Sequence, residues 1–181
     1  GNTGALLVIS KLNLKMIENI DKPALSALWP NKMNMSVVLD LGANIECSPK
    51  NLIDFSLMGS ALFKSLYPDD TARVALLNIG SEELKGNEII KETYQQLSQK
   101  NNTGFEFKGY IEGNQLMNGD VNVIVADGFT GNVALKTAEG TANFITSELK
   151  KAMTGNIIGK ISSLLNISNL KKFKARLDPR L

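Results

Sequence analysis

The chain has 181 residues, 43% of them hydrophobic and 21% charged, with a formal net charge of +2, an ordinary globular composition at a length that supports a real core. It holds one cysteine, Cys47, and no histidine, which excludes an internal disulfide, Ser-His and Cys-His nucleophile systems and imidazole metal sites, and leaves no usual ligand set for zinc. No apolar run is long enough to span a bilayer and no signal peptide is visible; the reduced-thiol composition fits a cytoplasmic setting, and no nucleic-acid partner is expected.

Gly1-Asn2-Thr3-Gly4 is turn-like and runs straight into an apolar helical pattern at Leu6, Leu7, Ile9 and Leu12. A domain rarely begins in such a loop, so the chain is expected to be a piece of a longer one. Residues 4–20 are predicted helical. Residues 21–34 contain Pro23 and Pro30 and read as a loop, with Trp29 packed against the body. Ser36 to Leu41 (SVVLDL) is a strand, followed by Gly42-Ala43-Asn44. Pro49 marks a helix start, continued by apolar residues to Leu66 and broken at Pro68-Asp69-Asp70.

Arg73 to Ile79 is the next strand, then Gly80 and a polar loop to Asn87. Glu88 to Lys100 is an amphipathic helix, Phe105 to Ile111 a short strand, and Val121 to Ala126 a buried one. Thr130 to Met153 is helical, and Gly155 to Arg176 forms a second helical region broken near Asn166 to Asn169. Strands that are near-continuous apolar runs, alternating with helices, predict a mostly parallel α/β sheet covered on both faces. The simplest organisation is one domain over residues 1–181, incomplete at both ends, with 155–177 as a projecting amphipathic region.

In such a sheet the loops after the strands share one edge, where ligands collect. Three loops there pair glycine with small polar residues: Leu41 to Asn44, Asn78 to Ser81, and Asp127-Gly128-Phe129-Thr130-Gly131-Asn132. A helix N-terminus presents free N–H groups to an anion, and glycine permits close approach of backbone. The same residues also serve plain strand-to-helix turns. Lys85, beside Gly86, and Lys136, one turn into the helix after Asn132, are candidate point charges for phosphate. Asp127 either orients a lysine, accepts from a substrate or receives N–H groups from its own turn; Glu112 and Glu139 are equally open. Cys47 reads as a packed small residue, because no basic partner is evident. In the tail, Ile157, Ile161, Leu164 and Leu165 lie at helical spacing among Lys150, Lys151, Lys160, Lys171, Lys172, Lys174 and Arg176. That pattern fits a helix lying on an anionic membrane surface, or one packed on a second subunit.

Taken together, Gly1 to Ala5, LDLGAN (Leu39 to Asn44), LLNIGSEELKGN (Leu76 to Asn87) and DGFTGNVALKTAEG (Asp127 to Gly140) resemble the PlsX family of bacterial phosphate acyltransferases, in the family's order and over nearly the whole chain. Tyr110 stands where the family generally has Asn, and Asn122 where Asp is common. The resemblance implies a three-layer α/β/α fold of the isocitrate and isopropylmalate dehydrogenase kind, shared with phosphotransacetylases. It implies a homodimer in the cytoplasm, peripheral to the inner face of the membrane, that needs no cofactor or metal. The implied reaction transfers a fatty acyl group from acyl carrier protein to inorganic phosphate for phospholipid synthesis. Lys85, Asn132 and Asp127 would then be the catalytic group. Asn2, Thr3, Asn44, Gly128, Thr130, Gly131 and Lys136 would bind phosphate or substrate along the same edge. Competing readings are a phosphotransacetylase using acyl-coenzyme A and a non-catalytic anion-binding module.

Overall fold

Short β-branched runs separated by amphipathic segments produce an α/β fold in the computed structural model, which describes residues 3–99 and 104–177. In chain order the elements are helix α1 (Thr3–Leu14), strands β1 (Ser26–Pro30) and β2 (Met35–Leu39), helix α2 (Pro49–Leu66), strand β3 (Arg73–Asn78), helix α3 (Glu88–Gln99), strands β4 (Glu106–Glu112) and β5 (Val123–Val125), and helices α4 (Gly128–Thr154), α5 (Ile157–Leu165) and α6 (Ile167–Leu177). The chain divides into two units, Gly1–Val133 and Ala134–Leu181. The division falls inside α4, upstream of the 155–177 region that the sequence sets apart.

The first unit holds the sheet, in the order β1-β2-β5-β3-β4. β1 runs antiparallel to β2, and all other pairings are parallel. β5, last in sequence, inserts between β2 and β3: Val37 to Leu39 flank it on one side and Val74 to Leu76 on the other. One face of these strands (Val37, Leu39, Val74, Leu76, Val123, Val125) clusters with Leu52, Phe55 and Phe63 of α2 and Ile90 and Leu97 of α3. Phe55 is fully buried, and burial of a side chain of that size contributes about 2–3 kcal/mol. The helix begins where Pro49 predicts: Ser48 caps it and the Ser48/Asn51 pair closes a capping box.

Residues 21–34 are not all loop. Ser26–Pro30 forms an edge strand, with the two prolines before it and at its last position, where an edge tolerates the missing N–H. Trp29 is packed inward at 3% exposure. The first helix ends at Leu14 rather than residue 20; Lys15 and Asn19 take left-handed conformations (φ 60° and 65°) that the α-helix does not continue through. Asn122 is buried, accepts from the Arg73 N–H (2.6 Å) and donates to the Thr71 carbonyl (3.0 Å), so its neutral amide ties β5 to β3. Tyr110 stacks on Tyr94 at 4.7 Å between ring centres. Burial, and then the neighbouring Glu83 carboxylate, pushes the Tyr94 hydroxyl above its ordinary range.

The second unit contains the rest of α4 with α5 and α6. Asn156 caps α5 through the Gly159 N–H (2.7 Å), Ser163 donates to the Met153 carbonyl (3.1 Å), and the expected break falls at Asn166. Among the described residues, no helix is long and apolar enough to cross a membrane.

Candidate functional site

The parallel strands β2, β5 and β3 end side by side, so the loops that follow them meet on the carboxyl edge of the sheet, as the sequence pattern requires. Because β5 lies between strands that precede it in the chain, this edge is the kind of crossover point where α/β sheets bind ligands.

The loop after β2 is organised by Asp40, a residue that sequence reasoning passed over. Its side chain is fully buried. It accepts the N–H groups of Leu25 (3.0 Å), Gly42 (3.3 Å), Ala43 (3.0 Å) and Asn44 (2.7 Å), and the Asn44 side-chain amide (2.8 Å). A buried carboxylate is stable only with such a set of donors. The consequence is that the Gly42-Ala43-Asn44 backbone points at its own carboxylate. Asn44 has no N–H left for a ligand: its second amide hydrogen goes to the Pro23 carbonyl (2.7 Å), and its own carbonyl receives the Gly128 N–H (2.7 Å).

α4 begins at Gly128, two residues earlier than predicted, with Asp127 before it. Asp127 accepts from the Thr130 N–H (2.8 Å) and from the Thr130 hydroxyl (2.8 Å), the side-chain cap that a helix start favours. Two of the first three N–H groups of α4 therefore already have protein partners. The glycines of the Gly128-Phe129-Thr130-Gly131 turn serve backbone contact. A Cβ on Gly128 would stand 2.5 Å from the Asn44 carbonyl oxygen, and one on Gly131 would overlap the Asp40 carbonyl oxygen. Asn132 is exposed on the next turn, and its side chain lies against Gly42, whose φ of +125° only glycine adopts readily.

The loop after β3 is built differently. Asn78, buried at the strand end, donates to the Lys85 carbonyl (3.0 Å), and the Lys85 N–H donates to the Glu82 carbonyl (2.9 Å). The turn is thus latched by its backbone while the Lys85 side chain is exposed. Among the described residues, the Lys85 ammonium pairs with no carboxylate.

Between these loops and the starts of α2, α3 and α4 lies a cleft of about 780 Å³. Asp127, Phe129 and Thr130 border it together with Lys22, Cys47 and Asn87. Lys22 donates to the Glu46 carbonyl (2.8 Å), and Asn87 caps α3 by accepting the Ile90 N–H (2.9 Å). The Cys47 thiol lies 3.7 Å from the Asn44 carbonyl, and burial pushes its pKa up, which keeps it neutral. Lys22 carries no distinguishing signal in the sequence. Asp40 and Asn87 did carry one: a carboxylate closing an apolar strand, and an Asn directly before a helix.

Lys136 belongs to the second unit, where it pairs with Glu139 at 2.8 Å. Asn2 is outside the described residues, as is the side chain of Thr3. No cluster of metal-ligating side chains occurs among the described residues.

The model of the fatty acid synthesis protein family matches residues 1–181. The chain belongs to that family. It is similar to the phosphate acyltransferase of Pelagibacter ubique (93% identity over 181 residues, all of this chain and 54% of that protein). It is also similar to those of Maricaulis maris (43% over 181 residues, 99% of this chain, 51% of that one) and Bartonella bacilliformis (45% over 178 residues, 98% and 50%). The chain spans about half the length of the curated relatives it matches. Among solved structures, the EutD phosphotransacetylase from Staphylococcus aureus matches with a TM-score of 0.55 at 14% identity, over 74% of this chain and 46% of that one. This chain therefore shares its α/β fold with that structure.

Proposed function

We propose that the protein takes part in phosphate acyl transfer: a fatty acyl group passes from acyl carrier protein to inorganic phosphate, giving acyl phosphate and free carrier thiol. What carries the reading is that each of the three relatives described above, one of them 93% identical across this chain, is named a phosphate acyltransferase. The residue inventory supports it. Phosphate is already an anionic oxygen nucleophile at neutral pH, so a chain without histidine needs no strong base. The carrier thiol leaves readily, with a pKa of about 8.5. A phosphate oxygen attacks the thioester carbonyl, the C–S bond breaks, and the thiolate takes a proton from solvent. Lys85 neutralises the phosphate, Asn132 donates to the oxyanion, and Asp127 orients Thr130. Gly128, Gly131 and Asn44 shape the turn. Direct transfer is the favoured course, since no activated nucleophile is evident and the sole thiol is buried, which raises its pKa; a covalent acyl adduct trapped on Cys47 or a serine during turnover would overturn it.

The same reading has the protein working as a homodimer on the cytoplasmic face of an anionic membrane. Ile157, Ile161 and Leu165 are more than half exposed, which supports an apolar outer face on α5. Mixing the purified protein with palmitoyl-acyl carrier protein and phosphate should release carrier thiol in step with acyl phosphate. Release from palmitoyl-coenzyme A instead would favour the phosphotransacetylase reading, and no release from either would leave an anion-binding module. Charged residues at Ile161 and Leu165 should free the protein from anionic vesicles without unfolding it; loss of dimerisation alone would assign the face to a second subunit.

A further inference from the structure

The second unit contains a groove of about 550 Å³ between the C-terminal half of α4 and helices α5 and α6, within the usual range for a small-molecule site. Its walls are Leu149, Met153, Leu164, Ile167, Leu170 and Phe173. Lys150, Lys160, Lys171 and Lys174 border it, each exposed. The sequence contains no Asp or Glu between Glu148 and Asp178. The ion pairs found in this unit, Lys136–Glu139 and Lys151–Glu148, use none of the four bordering lysines. Ile157, Ile158, Ile161 and Leu165 do not line the groove. The stripe that looks single in sequence is thus two faces, one turned into a concave slot and one turned outward.

We propose that this groove binds the hydrocarbon chain of a single-chain anionic amphiphile, with the headgroup held by the bordering lysines. Concavity separates this ligand from a bilayer surface, which is flat and would meet the outward face. Positive charge with no ion-pair partner among the described residues, set around an apolar slot, matches an anionic head on an apolar chain. Lysine suits the position because its methylenes extend the apolar wall while its ammonium stays in water. The proposal deepens the acyl-transfer reading and rests on it, because a long-chain acyl phosphate is itself a single-chain anionic amphiphile; an alkyl phosphate is its non-reacting analogue.

The test is displacement of a fluorescent fatty acid, cis-parinarate, from the purified protein by octyl, decyl and dodecyl phosphate below their micellar concentrations. Each buried methylene should tighten binding about fourfold, and dodecyl phosphate should outcompete dodecanol by tenfold or more. Lys160→Gln with Lys171→Gln should weaken dodecyl phosphate about tenfold and leave dodecanol unchanged. Met153→Trp, which fills the slot, should abolish displacement while helical circular dichroism is retained. Ile158→Ser, on the outward face, should leave displacement unchanged. Absence of chain-length dependence, equal loss in the outward variant, or occlusion of the groove by a second copy, seen as a dimer that excludes the probe, would overturn the proposal. Dodecyl phosphate binding requires no turnover, so its failure is distinguishable from a failure of acyl transfer.

Discussion

The loops after β2 and β5 and the loop after β3 occupy the same edge of the sheet and look alike in sequence, yet they are held in opposite ways. At the β2/β5 junction, backbone N–H groups turn inward onto two carboxylates, Asp40 and Asp127, and glycines let one backbone lie directly on another. In the loop after β3, a buried amide, Asn78, grips the backbone and leaves a lysine side chain exposed to solvent. A Gly-rich turn at a helix start is therefore not automatically an anion cradle. Where the turn already contains a carboxylate, the N–H groups are occupied, and ligand charge must be met by side chains nearby.

Changes at the junction should damage stability before chemistry. Gly131→Ala places a methyl into the Asp40 carbonyl and should cost about 3 kcal/mol, a fall in Tm of roughly 10 °C in a chain of this size, read by thermal denaturation. Survival of the wild-type Tm would mean that the two backbones do not pack as described. Asp40→Asn keeps the shape but turns an amide toward donors, and should cost about 2 kcal/mol in a urea titration, with the slope unchanged. Cys47→Ala should cost about 1 kcal/mol and leave kcat within twofold. Because burial raises the Cys47 pKa, less thiolate is present at any given pH, and alkylation by iodoacetamide at pH 8 should run slower than for a free thiol. Fast alkylation, or loss of turnover in Cys47→Ala, would return the thiol to the chemistry.

Much of the sheet is legible because its signals are local. SVVLDL and RVALLNI are buried runs, Pro49 opens α2, and each strand-to-helix turn carries its glycine. Ser26–Pro30 is hidden because proline usually denies a strand, and only its place at the edge of the sheet makes it acceptable. The role of Asp40 is hidden for another reason: its donors come from Leu25 as well as from residues 42–44, and only the folded chain brings Leu25 there. Lys22 reaches the cleft from a loop with no pattern at all. Glycine was legible as close approach, but one sequence does not say whether the approaching partner is a ligand or the chain itself.

Under the proposed function the two kinds of loop divide the work, one holding the edge and the other meeting the phosphate. Lys85→Met measures this most directly, with thiol release from palmitoyl-acyl carrier protein and thermal denaturation followed on the same preparation. The expected result is a rate lower by about 100-fold, the usual loss for one charge-stabilising donor, with stability within about 0.5 kcal/mol of the unsubstituted protein, as for an exposed side chain. An unchanged rate, or a loss of rate that merely follows a loss of folding, would contradict it.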